Sequence, residues 1–305
     1  MDLKKKAAVL VTGATGQSGA MVIRELILQQ VPVRALVRDR EKARIWDGIP
    51  EVEIITGNML QPDSLQPTLA GIERALLISS ANDRMVDTQC SFIDACKAAG
   101  VPHVIKFSGE ESQIGYNPQH FRFTREHNEI EGYLERSGLQ WTHLRPSQFM
   151  QVYLREAAAI RTTGELRLPL EDIRMSPVDV RDIAKIAAAL LAGGGYQSQR
   201  LRITGPEALS LAEIAAIIAR IANYPVRYAA ISIEERSQAL LAAGLPPFFV
   251  EAVAAQTAER CKHPQARIDL NTHRLFNVTP TTFEQFVLHH AMDFGAPGDH
   301  YSNIK

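Results

Sequence analysis

Three glycines set three residues apart, Gly13, Gly16 and Gly19, stand where a short apolar run, Val9-Leu10-Val11, gives way to a segment with helical spacing. In Thr12-Gly13-Ala14-Thr15-Gly16-Gln17-Ser18-Gly19 each glycine has its own task. Gly13 permits a tight turn, Gly16 lets the backbone approach a pyrophosphate, and Gly19 lets the helix lie close to its strand. The helix start then offers free N–H groups and a positive dipole end to phosphates. The strand before and the helix after are the context that separates a dinucleotide-binding turn from a merely structural one.

A second apolar run ends at Val37-Arg38-Asp39, about 20 residues past the glycines, where a dinucleotide fold reads the ribose. An acid at that point bonds two ribose hydroxyls and repels a 2′-phosphate. Here Arg38 stands at the strand end, with Arg40 and Lys42 close behind, and a planar guanidinium suits a phosphate. The expectation is NADP(H) in preference to NAD(H), although Asp39 remains within reach of a ribose hydroxyl. Ordinary short-chain dehydrogenases add Tyr-x-x-x-Lys, whose lysine lowers the tyrosine pKa for proton transfer. Tyr116 is followed four positions on by His120 and Tyr133 by Ser137, so the chain is read as lacking that pair and an ordinary alcohol dehydrogenase is disfavoured.

These residues need a scaffold, and the first third of the chain repeats one pattern of short apolar run, turn and helical stretch. Ala7 to Val11, Val33 to Val37, Val52 to Ile55, Ala75 to Ile78 and Val104 to Phe107 read as buried strands. Gly16 to Gln30, Asp63 to Ala70 and Val86 to Ala99 read as helices between them. Strands alternating with helices predict an α/β fold: a doubly wound parallel sheet with helices on both faces. A helix over Arg125 to Ser137 and a strand over Trp141 to Leu144 extend it to Pro146. Beyond Met150 the chain turns alanine-rich, with helical spacing at 152–160, 182–191, 211–222, 233–243 and 248–259. The predicted division is a dinucleotide-binding domain over 1–150 and a smaller, mostly helical substrate lobe over 151–305. Segments near 178–205, including a strand at Arg200 to Ile203, return to the first domain.

Composition narrows the function classes. Lys and Arg number 33 against 34 Asp and Glu, a formal net charge of -1, so there is no extended positive field for nucleic acid or an acidic membrane. The Lys4-Lys5-Lys6 run reads as a solvated start, and the apolar run after it is far too short to span a membrane. A cytoplasmic protein is expected. Cys90, Cys96 and Cys261 form no C-x-x-C pair, so neither a disulfide frame nor a structural metal is expected.

Taken in order, the glycine turn, Val33-Arg34-Ala35-Leu36-Val37-Arg38, Gly57-Asn58-Met59, Ser137-Gly138-Leu139 with Leu144-Arg145-Pro146, Val178-Asp179-Val180-Arg181-Asp182-Ile183-Ala184 and Ile203-Thr204-Gly205-Pro206 resemble the NmrA-like family of atypical short-chain dehydrogenases. That family includes quinone, triphenylmethane-dye and azo-dye reductases as well as redox-sensing regulators. The resemblance runs to about Phe294. It implies a Rossmann-type sheet, an NADP(H) site at Gly13 to Gly19 and Arg38, and a substrate cleft between sheet and C-terminal lobe. It further implies that Asn58 and Met59 lie by the adenine, Asn58 replacing the family's usual acid and bonding the adenine amino group through its amide oxygen. Ser79, Ser80 and Ser108 then face the cofactor at strand ends, and Pro146 to Phe149 lie beside the nicotinamide.

Near the implied cleft stand Tyr116, His120, Arg125 and His127. Related isoflavone-reductase-like enzymes carry a lysine near the start of this helix, and counting back from Thr142 puts His127 at the matching place. Histidine can donate or accept a proton near neutral pH, so His127, with Tyr116 as a second candidate, is the expected proton donor or nicotinamide ligand. Quinones, azo compounds and triphenylmethane dyes ask for little beyond hydride delivery to a conjugated system. Phe149, Met150, Tyr153, Met175, Phe248 and Phe249 are the expected lining for such flat acceptors. Three readings follow: an NADPH-dependent reductase of small aromatic or conjugated acceptors; a regulator that senses NADP(H) without turnover, for which a protein partner is an option; and a sugar-nucleotide epimerase or other isomerase with tightly held cofactor, against which the missing tyrosine argues. Oligomeric state is left open.

Overall fold

The computed structural model of the chain describes residues 8–295. The Lys4-Lys5-Lys6 run and Ala7, the expected first strand residue, therefore lie outside the described residues. The first half alternates strictly: β1 (Val9–Val11), α1 (Gln17–Leu28), β2 (Val33–Val37), β3 (Val52–Thr56), α2 (Pro62–Leu69), β4 (Arg74–Leu77), α3 (Met85–Ala98), β5 (His103–Phe107), α4 (Arg122–Arg136) and β6 (Gln140–Pro146). The second half adds α5 (Ala157–Thr163), β7 (Glu165–Leu168), β8 (Arg174–Met175), α6 (Val180–Gly193), β9 (Gln199–Ile203), β10 (Leu209–Ser210), α7 (Leu211–Ala222), β11 (Arg227–Ala230), α8 (Ile233–Ala242) and α9 (Pro247–Cys261).

Seven strands form one sheet in the order β3-β2-β1-β4-β5-β6-β9, and every neighbouring pair is parallel. The chain winds outward from β1 to β3, then returns to the other side of β1 with β4, so the switch point lies between β1 and β4. Ligands of open α/β sheets bind in the crevice outside the carboxyl ends of the strands at such a point. Strands β1, β2 and β5 are buried along their whole length. Burial on both faces is why β1 reads as a continuous apolar run and why β2 and β5, interrupted by Arg34, His103 and Lys106, do not alternate.

Helices α1 and α6 cover one face through Val22, Ile23, Leu26, Ile183 and Ala187, while α2, α3 and α4 cover the other through Leu65, Phe92 and Ile130. A separate core joins Met150, Tyr153, Ile160, Met175, Ile214, Ile218, Phe283 and Phe286. The helix expected over 152–160 is in fact a 3-10 turn, Met150–Arg155, followed by α5. Three residues per turn set Met150 and Tyr153 one above the other, and both point into this core. The chain packs tightly where β9 ends: a Cβ on Gly205 would lie 1.9 Å from the Pro177 carbonyl oxygen, so only glycine fits. No helix among the described residues is long and apolar enough to cross a membrane.

Candidate active site

The glycine turn sits at the switch point. Gly13 turns the chain with φ +60, and a Cβ on Gly19 would fall 2.3 Å from the Gly13 carbonyl oxygen, so α1 backs directly onto the turn. Thr12 Oγ1 donates to the Ile78 carbonyl at 2.7 Å and accepts from the Ile78 N–H at 2.7 Å, clipping the ends of β1 and β4 together. On the other side Trp46, buried, donates from its indole nitrogen to the Ala14 carbonyl at 3.2 Å. Helix α1 begins on Gly16 with no capping side chain and no acid in its first turn. Its first N–H groups and its dipole are thus left for an anion, and the cradle fits the pyrophosphate of a dinucleotide.

Past β2 the basic residues divide. Arg40 is paired with Asp47 at 2.5 Å and Arg44 with Glu41, whereas Arg38 and Lys42 are exposed and have no ion-pair partner among the described residues. Asn58 and Met59 follow β3; the Asn58 amide oxygen accepts the Leu60 N–H at 3.1 Å, a local bond that competes with the adenine role expected of it. Ser79 and Ser80 follow β4, and Ser79 Oγ accepts a bond from the Gln89 amide at 2.8 Å.

Along the same carboxyl edge opens a cavity of about 980 Å³, lined by the segments after β4, β5 and β6 and closed by α8 and α9. Ser108, Pro146, Phe149, Tyr153, Phe248 and Phe249 all contribute to its wall. Phe149 meets Phe107 edge to face at 6.1 Å, and Phe249 meets Phe123 at 5.9 Å, so the aromatic walls are held by other rings. The charged lining is largely neutralised, Arg236 by Glu156 at 2.6 Å and Arg260 by Glu111 at 2.7 Å. The Tyr153 hydroxyl and the Gln148 amide oxygen are buried without hydrogen-bond partners, two polar groups available to a ligand.

His127, on α4, also lines this cavity, and its Nδ1 lies 3.0 Å from Nζ of Lys106 in β5. Lys106 is fully buried and also donates to the Gln89 amide oxygen at 2.9 Å. Burial pushes Lys106 down to about 7, with Glu131 and Cys90 opposing the shift and Arg145 adding to it. Burial, and then the neighbouring Lys106, hold His127 well below the ordinary imidazole range. At neutral pH His127 is therefore an uncharged ring.

Residues 5–287 match the NmrA-like family. The chain belongs to that family. A relative named NAD(P)H azoreductase, from Xenophilus azovorans, is 34% identical over 289 residues, spanning 94% of this chain and 99% of its own. The NmrA-like fold is shared with the NADPH-dependent quinone oxidoreductase from Escherichia coli solved with NADPH, at a TM-score of 0.82 and 26% identity, covering 92% of this chain and 99% of that one. Triphenylmethane reductase from Citrobacter sp., solved with NADP(H), superposes with a TM-score of 0.81 at 24% identity, covering 93% of this chain and 99% of that one.

Within this NmrA-like frame several expected site residues fall elsewhere. Met150 and Met175 are 1% exposed in the second hydrophobic core and do not line the cavity, because the 3-10 turn and β8 direct them inward. Tyr116 lines a smaller neighbouring cavity of about 180 Å³ with Glu110, Arg145 and Arg267. Its buried hydroxyl has no partner, and burial, helped by Glu111, raises its pKa, which makes it a poor proton donor. His120 is engaged with Glu259 at 2.7 Å, and Arg125 donates to the Gln119 carbonyl. The spacing Tyr-x-x-x-Lys does occur once, at Tyr301 and Lys305, which corrects the reading that the chain lacks it; both residues lie outside the described residues. Glu131, Glu135 and His143 converge as a metal site would, but Glu131 is bonded to Arg145 and Glu135 to His143 and Arg200. Cys90, Cys96 and Cys261 are free thiols.

Lys106 was missed altogether. The signal was available: a lysine inside His103-Val104-Ile105-Lys106-Phe107, a run otherwise suited to a strand buried on both faces.

Proposed function

We propose that the protein is an NADPH-dependent reductase of flat, conjugated acceptors of the quinone, azo or triphenylmethane type. The observation that carries this reading is the aromatic-walled cavity of about 980 Å³ on the same sheet edge as the glycine cradle. Gly13 to Gly19 hold the pyrophosphate, Arg38 and Lys42 hold the ribose phosphate, and Pro146 and Phe149 support the nicotinamide. When bound, NADPH supplies the hydride. The side chains around it position a planar acceptor, with Phe248 and Phe249 against its face and α8 and α9 keeping water away. Tyr153 and Gln148 offer a donor and an acceptor to its polar substituents, and His127 presents a ring nitrogen where negative charge develops. The names and bound cofactors of the relatives support the same chemistry, and the neutralised lining suits an acceptor carrying little charge.

The test is loss of NADPH absorbance when the purified protein is mixed with a panel of quinones, azo dyes and triphenylmethane dyes, repeated with NADH and without acceptor. Acceptor-dependent oxidation that prefers NADPH is expected. Tight NADPH binding without turnover across the panel would overturn the reductase and assign the protein to the sensing members of its family.

A further inference from the structure

We propose that Lys106 and His127 form a two-residue proton relay, in which His127 Nε2 gives a proton to the acceptor in the cavity and Lys106 Nζ resupplies the ring through Nδ1. The identity of the acceptor rests on the reductase reading; the relay itself rests on hydrogen-bond geometry. Lys106 Nζ has three neighbours: Gln89 Oε1 at 2.9 Å, His127 Nδ1 at 3.0 Å and the Phe107 carbonyl oxygen at 3.5 Å. Gln89 is 1% exposed and its amide nitrogen donates to Ser79 Oγ at 2.8 Å, which fixes its oxygen toward the lysine.

An ammonium carries three hydrogens and no lone pair, so in that state Nδ1 must accept and the ring proton must sit on Nε2. A neutral amine carries two hydrogens, which go to Gln89 and the Phe107 carbonyl. Its lone pair then accepts from Nδ1–H, and Nε2 becomes an acceptor. The two states differ by one proton on the lysine, yet the difference is read out at the cavity end of the histidine. That edge of the ring lies beside Gly109, where an added Cβ would be in ordinary contact at 3.5 Å from His127 Cδ2 and 3.7 Å from Nε2, and both residues line the cavity.

The step balances. The Nε2–H bond breaks as a bond forms to oxygen or nitrogen of the acceptor, and Nδ1 takes a proton from Nζ, leaving a neutral amine. With a hydride from the reduced nicotinamide, the acceptor ends two electrons and two hydrogens richer. After product leaves, water entering the cavity returns the proton by the same path. The groups facing the lysine are Cys90 on α3, Glu131 and His127 on α4, and His143 and Arg145 on β6. With Lys106 at about 7, the loaded and unloaded states are both populated at neutral pH.

The test is heteronuclear NMR of ligand-free protein carrying 15N-labelled histidine, between pH 5.5 and 9, with the His127 signals assigned by their loss in His127→Gln. Wild type should carry Nε2–H at low pH and Nδ1–H at high pH, with a midpoint near 7. In Lys106→Met the tautomer should stay constant. A single unchanged tautomer in wild type, or an ordinary titration to the imidazolium, overturns the relay whether or not Lys106→Met folds. Kinetics then add a second reading: under saturating NADPH, wild-type kcat for an active quinone or azo acceptor should fall about tenfold per pH unit above the midpoint, and Lys106→Met should be slower and flat. A tautomer switch without turnover supports the relay and overturns the reductase. Turnover without a switch does the reverse.

Discussion

Replacing Lys106 by methionine should change the pH dependence of stability more clearly than its absolute value. In the folded protein the amine is held from 10.5 down to about 7, chiefly by burial. Between these values the unfolded chain binds more protons than the folded one, so the stability of the wild type rises with pH. The cost of burying the charge is fully present below pH 7 and is relieved as pH climbs toward 10.5. Above the midpoint the slope approaches about 1.4 kcal/mol per pH unit, so from pH 7 to 9 wild type gains on the variant by about 2 kcal/mol. At pH 6 two effects compete in the variant. Removal of the buried charge stabilises it, while Gln89 Oε1 and His127 Nδ1 lose their donor at about 1–3 kcal/mol each. The loss at Gln89 does not depend on pH across this window, and the bond lost at His127 is present in either protonation state of Lys106, whereas the charge term changes throughout, which is why the difference in slope is the quantity to measure. Urea unfolding of both proteins at pH 6, 7, 8 and 9 provides it. Parallel stability curves would refute the reasoning, because they would mean that Lys106 does not titrate in this range.

Arg38→Ala should weaken NADPH binding by roughly tenfold to a hundredfold, the worth of a charge-assisted phosphate contact, and leave NADH nearly unchanged; equal affinities before and after would remove Arg38 from the ribose-phosphate site. His127→Ala should lower turnover roughly a hundredfold while a fluorescence titration reports near-normal NADPH affinity, and wild-type rates would return the ring to a packing role. Gly19→Ala places a Cβ 2.3 Å from the Gly13 carbonyl oxygen, a backbone atom that cannot rotate away. Calorimetric titration should find NADPH affinity greatly reduced, and an unchanged value would show that α1 can retreat from the turn.

The parts of this protein visible in its sequence are those in which the backbone does the work. Strands β1, β2 and β5 are buried on both faces, so their apolar runs stand out from any neighbouring segment. The glycine cradle is equally plain because its geometry tolerates no side chain at Gly19. Residue type was a weaker guide. Methionine and tyrosine suit a pocket and a core alike, and only the direction of the 3-10 turn places Met150 in the lobe core while Tyr153 also reaches the cavity wall. Phe248 and Phe249 line the cavity because α9 lies over it, a packing relation that no local pattern carries.

The Lys106 network was hidden for a different reason. Its members come from β5, α3 and α4, separated by 17 and 21 residues, and they meet only because both helices cover the same face of the sheet. A strand lysine in that position breaks the pattern that makes β5 readable, and it carries a standing cost in desolvation. Valine or leucine would fill the space without that cost. Among the described residues the remaining buried cations differ in kind: Arg34 is bonded to Glu53 and to two carbonyl oxygens, and Arg260 to Glu111. Each of these is neutralised by a carboxylate in direct contact, whereas Lys106 is bonded to two amide oxygens and a histidine and touches no carboxylate. A buried cation whose bonds leave it near its own deprotonation point is a poor structural clamp and a good proton store. Local violations of the folding pattern gather at working sites, and here the violation leads, through one ring nitrogen, to the floor of the cavity.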